Sequence, residues 1–259
     1  MASNADRRYY DVQRQQALRI SRQFEGKLLK YRGKEITRAL RHLKDNYDTH
    51  LWESTIGSLI DETAYLPEWH RRLTLTAGIP VAVSTAKRLL PGVEPETGIF
   101  EQRLSEWSKT QMGERIVSVQ GTLKETLRLI IRQELANDYY MGVEKLSRSV
   151  ASRYNELALW QVRRIAQTEC LTGLSEAANE AAESLAIHYN KEWMVSGLAN
   201  TRESHLAMDG VMVGENDIFE VPADGDVPSC LMRFPRDTMY NPPAGQIINC
   251  ACACNYIAL

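Results

Sequence analysis

The sequence predicts an α+β protein, mainly helical over its N-terminal two-thirds and closed by a small mixed α+β module at the C-terminal end. Three observations carry this. Apolar residues recur at helical spacing through most of the chain as far as Asn190. An alanine-rich run, Ala177–Ala186, then extends the last long helix. Beyond Asn190, short runs of β-branched and aromatic residues alternate with Gly, Asn and Pro.

In chain order, the first helix is expected over Tyr9–Tyr47. That stretch holds no proline, and Val12, Leu18, Phe24, Leu28, Leu29, Ile36, Leu40 and Leu43 recur at roughly helical intervals. Gly26 and Gly33 each mark a candidate break. A second helix is expected over Leu51–Tyr65, with its boundary at Leu66, because the residue before a proline is pushed out of the α region. Gly78, Pro80, Pro91, Gly92, Pro95 and Gly98 then punctuate a connection that leaves room only for a short helix over Val81–Leu90. Helix resumes near Phe100, where Leu123, Leu127, Ile130, Ile131 and Leu135 share one face. Another helix starts at Gly142 or Val143, or later with Ser147 or Ser149 as cap. Strands are expected at Lys191–Ser196, Val211–Val213, Ile218–Val221 and Ile247–Tyr256, with a long polar, proline-rich excursion over Pro222–Pro243. The segments are 1–77, a basic helical region; 78–98, the connection; 99–142, helical; and 143–259, the α+β module.

Hydrophobic content of 44% and charged content of 25% suit a folded globular chain. No apolar run approaches the roughly 20 residues needed to cross a bilayer. The stretch Met1–Tyr10 is polar and lacks the apolar core of a secretion signal, so synthesis in the cytoplasm is expected. Five cysteines, none before Cys170 and three within Cys250–Cys254, do not suggest a disulfide scaffold.

The net charge of −2 hides an asymmetry. From Arg7 to Lys44, twelve Lys and Arg face only Asp11, Glu25 and Glu35, a balance of +9. Arg7, Arg8, Arg14, Arg19, Arg22, Lys27, Lys30 and Arg32 are candidate contacts for an anionic partner, either DNA or an acidic protein face. The attraction would be salt-dependent and sequence-blind. The other reading is a solvated helix that happens to be basic.

Six short motifs follow one another in the last part of the chain. They are Arg164-Ile165-Ala166-Gln167-Thr168-Glu169; Trp193; Arg202-Glu203-Ser204-His205 with Asp209-Gly210; Phe219; Pro235-Arg236-Asp237; and Ile248-Asn249-Cys250-Ala251-Cys252. In this order and spacing they resemble the Mu F-like domain of tailed-phage minor head proteins, over about Val143–Cys254. Gln167 and Ala251 stand where the family pattern has arginine. The family-motif residues carried over are Arg164, Thr168, Glu169, Trp193, Arg202, His205, Asp209, Gly210, Pro235, Asp237, Asn249, Cys250 and Cys252.

The resemblance implies a non-enzymatic minor head or head-morphogenesis protein. It would associate with the portal and other head or scaffold proteins, support capsid assembly, DNA packaging or genome ejection, and reside in the virion. No cofactor is expected, zinc being the one candidate that the residues leave open.

Read as chemistry, the same residues leave alternatives. Arg202, His205 and Asp209 on one short helix could bind phosphate, form an acid–base pair, or make an internal hydrogen-bond network. Cys250, Cys252 and Cys254 alternate as they would on one face of a strand. His205 with Cys250, Cys252 and either Cys230 or Cys254 could hold zinc, or the thiols could simply pack in the core. Two functional alternatives therefore stand: a metal- or histidine-dependent hydrolase or transferase, and a DNA-associated ejection factor using the basic arm. No phosphate-cradling glycine loop and no His-Glu-x-x-His motif occurs.

Overall fold

The computed structural model describes residues 3–47, 67–68, 71–137 and 142–259. The helix expected over Leu51–Tyr65 and its boundary at Leu66 lie outside the described residues. The fold class matches the expectation: long helices followed by a small antiparallel C-terminal sheet.

Helix α1 is Asn4–Asp45, unbroken through Gly26 and Gly33. A Cβ at either glycine would meet nothing within 4 Å, so each costs helix propensity without provoking a break. Its buried stripe is Tyr10, Ala17, Ser21, Phe24, Leu28, Arg32, Ile36, Ala39 and Leu43, at spacings of three, four and seven. Val12, expected on that stripe, is 67% exposed, because the stripe is completed by Ala17 and Ser21.

A π-helical segment, Arg71–Gly78, leads into α2, Ile79–Leu89. This helix lies within the expected connection. Pro80 sits in its first turn, where no N–H is needed, and Val81, Ala82, Thr85, Ala86 and Leu89 are its buried side. Helix α3 is Thr97–Lys109, α4 is Gln111–Asn137 and α5 is Val143–Ser184.

The C-terminal part contributes β1 (Tyr189–Met194), α6 (Glu203–Leu206), β2 (Met212–Gly214), β3 (Phe219–Val221), β4 (Cys230–Met232), α7 (Ala244–Ile247) and β5 (Ala253–Ala258). Strand β1 is central in the antiparallel order β2-β1-β5, and β3 pairs with β4. Strand β4 falls inside the expected polar excursion. The closing strand begins at Ala253, six residues later than expected, because Ala244–Ile247 is a helical turn and Ile248–Cys252 is irregular.

The described chain divides into two compact units, each discontinuous in sequence. One comprises residues up to Arg22, Glu68–Gln111 and Arg164–Leu259; the other comprises Gln23–Pro67 and Met112–Arg163. The second unit has a core of Ile36, Ala39, Leu43, Leu127, Ile130, Ile131, Leu146, Val150 and Tyr154, which draws on α1, α4 and α5. Leu135 packs against it as expected. The first unit carries the motif residues.

Within the first unit a polar chain, buried at the sheet and half-buried at Arg88 and Asp6, ties α1 and α2 to the sheet. Glu192 and Asn255 are register partners on β1 and β5, and the Asn255 amide donates to the Glu192 carboxylate at 3.0 Å. Arg88 donates to Asn255 Oδ1 at 2.8 Å and also to Asp6. Its guanidinium lies 4.9 Å and 5.5 Å from the ring centroids of Tyr9 and Tyr10, a cation–π arrangement.

Candidate functional site

Three of the expected metal-site residues come together: His205, Cys250 and Cys252, with 1–2% of each exposed. His205 lies on α6, and the two cysteines lie in the irregular segment before β5. Both sulfurs are 3.5 Å from His205 Nδ1. Cys254 and Cys230 are outside this cluster. Because β5 starts at Ala253, Cys254 becomes the partner of Trp193 in the ladder rather than the third thiol of one face. Burial pushes its thiol up to about 12. Cys230 is half-buried on β4.

The imidazole is oriented from its far side. The Gln246 amide nitrogen donates to Pro222 O at 3.1 Å and Pro228 O at 3.5 Å, which leaves its oxygen as the acceptor. That oxygen is 2.9 Å from His205 Nε2, and it also accepts from Ser204 Oγ at 3.3 Å. His205 therefore carries its proton on Nε2 and presents the Nδ1 lone pair to the two sulfurs. Trp193, fully buried, packs edge-on against the imidazole at 5.4 Å and against Phe219 at 5.3 Å.

Arg236 fixes the cysteine segment from the other side. It is buried and held at φ +72°. It donates to Cys250 O at 3.1 Å, Cys252 O at 2.6 Å, Leu171 O at 3.1 Å and Ser175 Oγ at 2.5 Å, and stands 3.8 Å from the Cys250 sulfur. The neighbouring Cys252 thiol, His205 and this guanidinium hold the Cys250 thiol well below its usual range. The hydrogen bond to Cys250 and burial push Cys252 up, so the two thiols titrate as a pair rather than singly.

The other motif residues hold backbone. Arg202 donates to Ile248 O at 2.5 Å. Asp209 accepts from Val195 N at 3.0 Å and pairs with Arg7 at 3.1 Å. Arg202 and His205 thus both engage the stretch 246–252, whereas Asp209 serves Val195 and Arg7, so the three form no common site. Gly210 at φ +80° lets its N–H reach Trp193 O at 2.8 Å. Asn249 takes φ +60°, which asparagine tolerates, and gives its N–H to Thr168 Oγ1 at 3.3 Å. Pro235 is buried, and Asp237 accepts from Arg233 N, Nε and a terminal nitrogen at 2.9–3.1 Å and from Met239 N at 3.1 Å. On α5, Glu169 is buried and Arg164 is half-buried.

With Asp237 occupying Arg233, Glu176 stays 3.6 Å from that guanidinium without a close pair. Burial pushes its carboxyl up to about 8, against the pull of Arg233 and with the help of Asp237, Glu180 and Glu183. The folded state therefore keeps a proton that the unfolded chain loses near pH 4.5. Stability contributed here is complete below that pH and falls as pH rises towards about 8. Glu176→Gln is expected to flatten this fall, its advantage in melting midpoint growing between about pH 5 and about pH 8; melting curves across that range check it.

Of the basic arm, Arg8, Arg19, Arg22, Lys27 and Lys30 are exposed. Arg7 pairs with Asp209 and Arg14 with Asp11. Arg32 is 2% exposed and is not available to a partner in solution, because it lies on the buried stripe of α1 beside Tyr154. Gln246, Arg88 and the full role of Arg236 were not legible as site residues: a glutamine in a polar loop carries no motif signal.

No family model matches the chain, and no solved structure matches it. A stretch of 95 residues, 36% of the chain, is 35% identical to an uncharacterized protein of Bacillus subtilis (strain 168), YqbB. The match covers 29% of that protein, so the chain spans less than a third of the relative's length.

Proposed function

We propose that this chain is a structural, non-enzymatic minor head protein of a tailed bacteriophage or prophage, of the Mu F-like kind, associating with the portal. The observation that carries the reading is how the ordered motif residues are used. Arg202, Asp209, Gly210, Asp237 and Asn249 all spend their polar atoms on backbone or on internal ion pairs within one unit. Motifs that share one scaffold fit a domain signature better than a chance run of residues. The same bonding disfavours an acid–base site, since His205 and Asp209 serve different segments and His205 is 1% exposed.

The exposed cations of α1 favour an anionic contact as a second feature of the same role, with packaged DNA or an acidic portal face as the surface they meet. Among the described residues no helix is long and apolar enough to cross a membrane.

The test is co-expression with the portal protein of the same genome, followed by co-purification and proteomics of assembled heads. The expected result is recovery with the portal and a few copies per particle. Failure to bind the portal, together with absence from particles, overturns the reading.

A further inference from the structure

The cluster of one imidazole and two thiols sits in the core of the first unit with its geometry already set. A tetrahedral zinc ion, with sulfur at about 2.3 Å and imidazole nitrogen at about 2.05 Å, holds those ligand atoms about 3.6 Å apart. Both sulfurs here stand 3.5 Å from Nδ1. From these residues we infer that His205, Cys250 and Cys252 form a zinc site whose ion cross-links α6 to the segment leading into β5.

Three features support it. First, the imidazole is in the ligating tautomer: Pro222 O and Pro228 O orient the Gln246 amide, and Gln246 holds the proton on Nε2. Second, both sulfurs converge on the one Nδ1 lone pair at the same 3.5 Å, the arrangement that a single shared cation would use. Third, the donor set is soft. Two thiolates and an imidazole suit zinc, and the oxygen-seeking magnesium and calcium are disfavoured.

Both thiol protons pass to solvent on binding, and the two thiolates balance the ion's charge. Arg236, 3.8 Å from the Cys250 sulfur, supplies an N–H to a thiolate ligand. Water completes the tetrahedron. A cavity of about 10 Å³ bordered by Arg202, His205, Cys250 and Cys252 has roughly the volume one water needs. Its small size and the burial of all three ligands keep substrate out, so the ion's role is structural. The inference does not depend on the virion reading, and neither result decides the other.

The test uses the full chain, purified under reducing conditions and loaded with zinc, with metal content measured after removal of free ion. About one zinc per chain is expected, falling at least about tenfold in Cys252→Ser and in His205→Ala, and retained in Cys230→Ser. Gln246→Leu, which keeps all three ligands but releases the tautomer, is expected to weaken zinc affinity about 10–100-fold. Because the ligand variants could fail to fold, the unaltered protein gives a second readout. Cobalt substitution should produce a thiolate-to-metal charge-transfer band. In denaturant just sufficient to open the zinc-free unit, zinc should also shield Cys250 and Cys252 from alkylation until a chelator is added. The inference is overturned if the reduced, zinc-loaded protein holds no stoichiometric metal, if the folded ligand variants keep it, or if alkylation of Cys250 and Cys252 is indifferent to zinc.

Discussion

Arg236→Ala is expected to lower the stability of the first unit by about 3–5 kcal/mol, through loss of charge-assisted hydrogen bonds and orphaning of buried acceptors. The substitution removes donors from Cys250 O, Cys252 O, Leu171 O and Ser175 Oγ at once, in a place water does not reach. Two further variants separate the causes. Arg236→Lys restores a charge but not a planar fork that spans α5 and the cysteine segment, so it should recover only part of the loss. Arg236→Gly loses the same bonds yet relieves the left-handed backbone at φ +72°, so it should be less harmful than alanine by about 1 kcal/mol. Denaturant unfolding, with amide exchange at Leu171–Ser175 as a local reporter, checks the set. A cost below about 1 kcal/mol for alanine would mean that these bonds are not made in solution.

Trp193→Ala should cost about as much, about 3–5 kcal/mol, by a different route. The side chain is wholly buried in the middle strand and wedged edge-on between His205 and Phe219. Truncation leaves a cavity lined by the imidazole and the β3 phenyl ring, which backbone fixed by ladders on both sides cannot collapse to fill. Trp193→Phe keeps the aromatic wedge and should lose much less. The denaturant midpoint at constant slope is the measurement. Equal losses for Ala and Phe would point to the indole's full volume rather than its ring contacts as the stabilising element.

The sequence discloses the long helices because their signal is spread over many residues. Alpha-helix α1 is readable through the absence of proline and the recurrence of Phe24, Leu28, Ile36 and Leu43. Its buried face was harder to place, because Ala17, Ser21 and Arg32 belong to it and an apolar count overlooks them. Strand β4 is three residues long and follows Pro228; its pairing with β3, Phe219 against Met232, is a tertiary fact with almost no local trace.

The alternation Cys250, Cys252, Cys254 was visible, but where the strand begins was not. That start decides that two of the thiols meet His205 and the third faces elsewhere. Gln246 and Arg88 were out of reach for a related reason. Their importance comes from what Pro222 O, Pro228 O, Asn255 and Asp6 do around them, and nothing in their neighbours along the chain signals it.

The chain threads the site-bearing unit three times, and this governs how the protein can be dissected. A fragment started at Val143, where the linear pattern suggests a natural beginning, would contain every motif residue. It would lack Asp6, Arg7 and Arg88, and so would leave Asn255 and Asp209 without their partners from the missing stretches. A failed portal pull-down or metal assay on such a fragment would report a damaged fold and say nothing about function. Nested deletions from the N-terminus carry the same hazard, because removing the basic arm also strips struts from a module far along the sequence. Point substitutions at Arg8, Arg19 and Arg22 alter the arm's charge while leaving those struts in place.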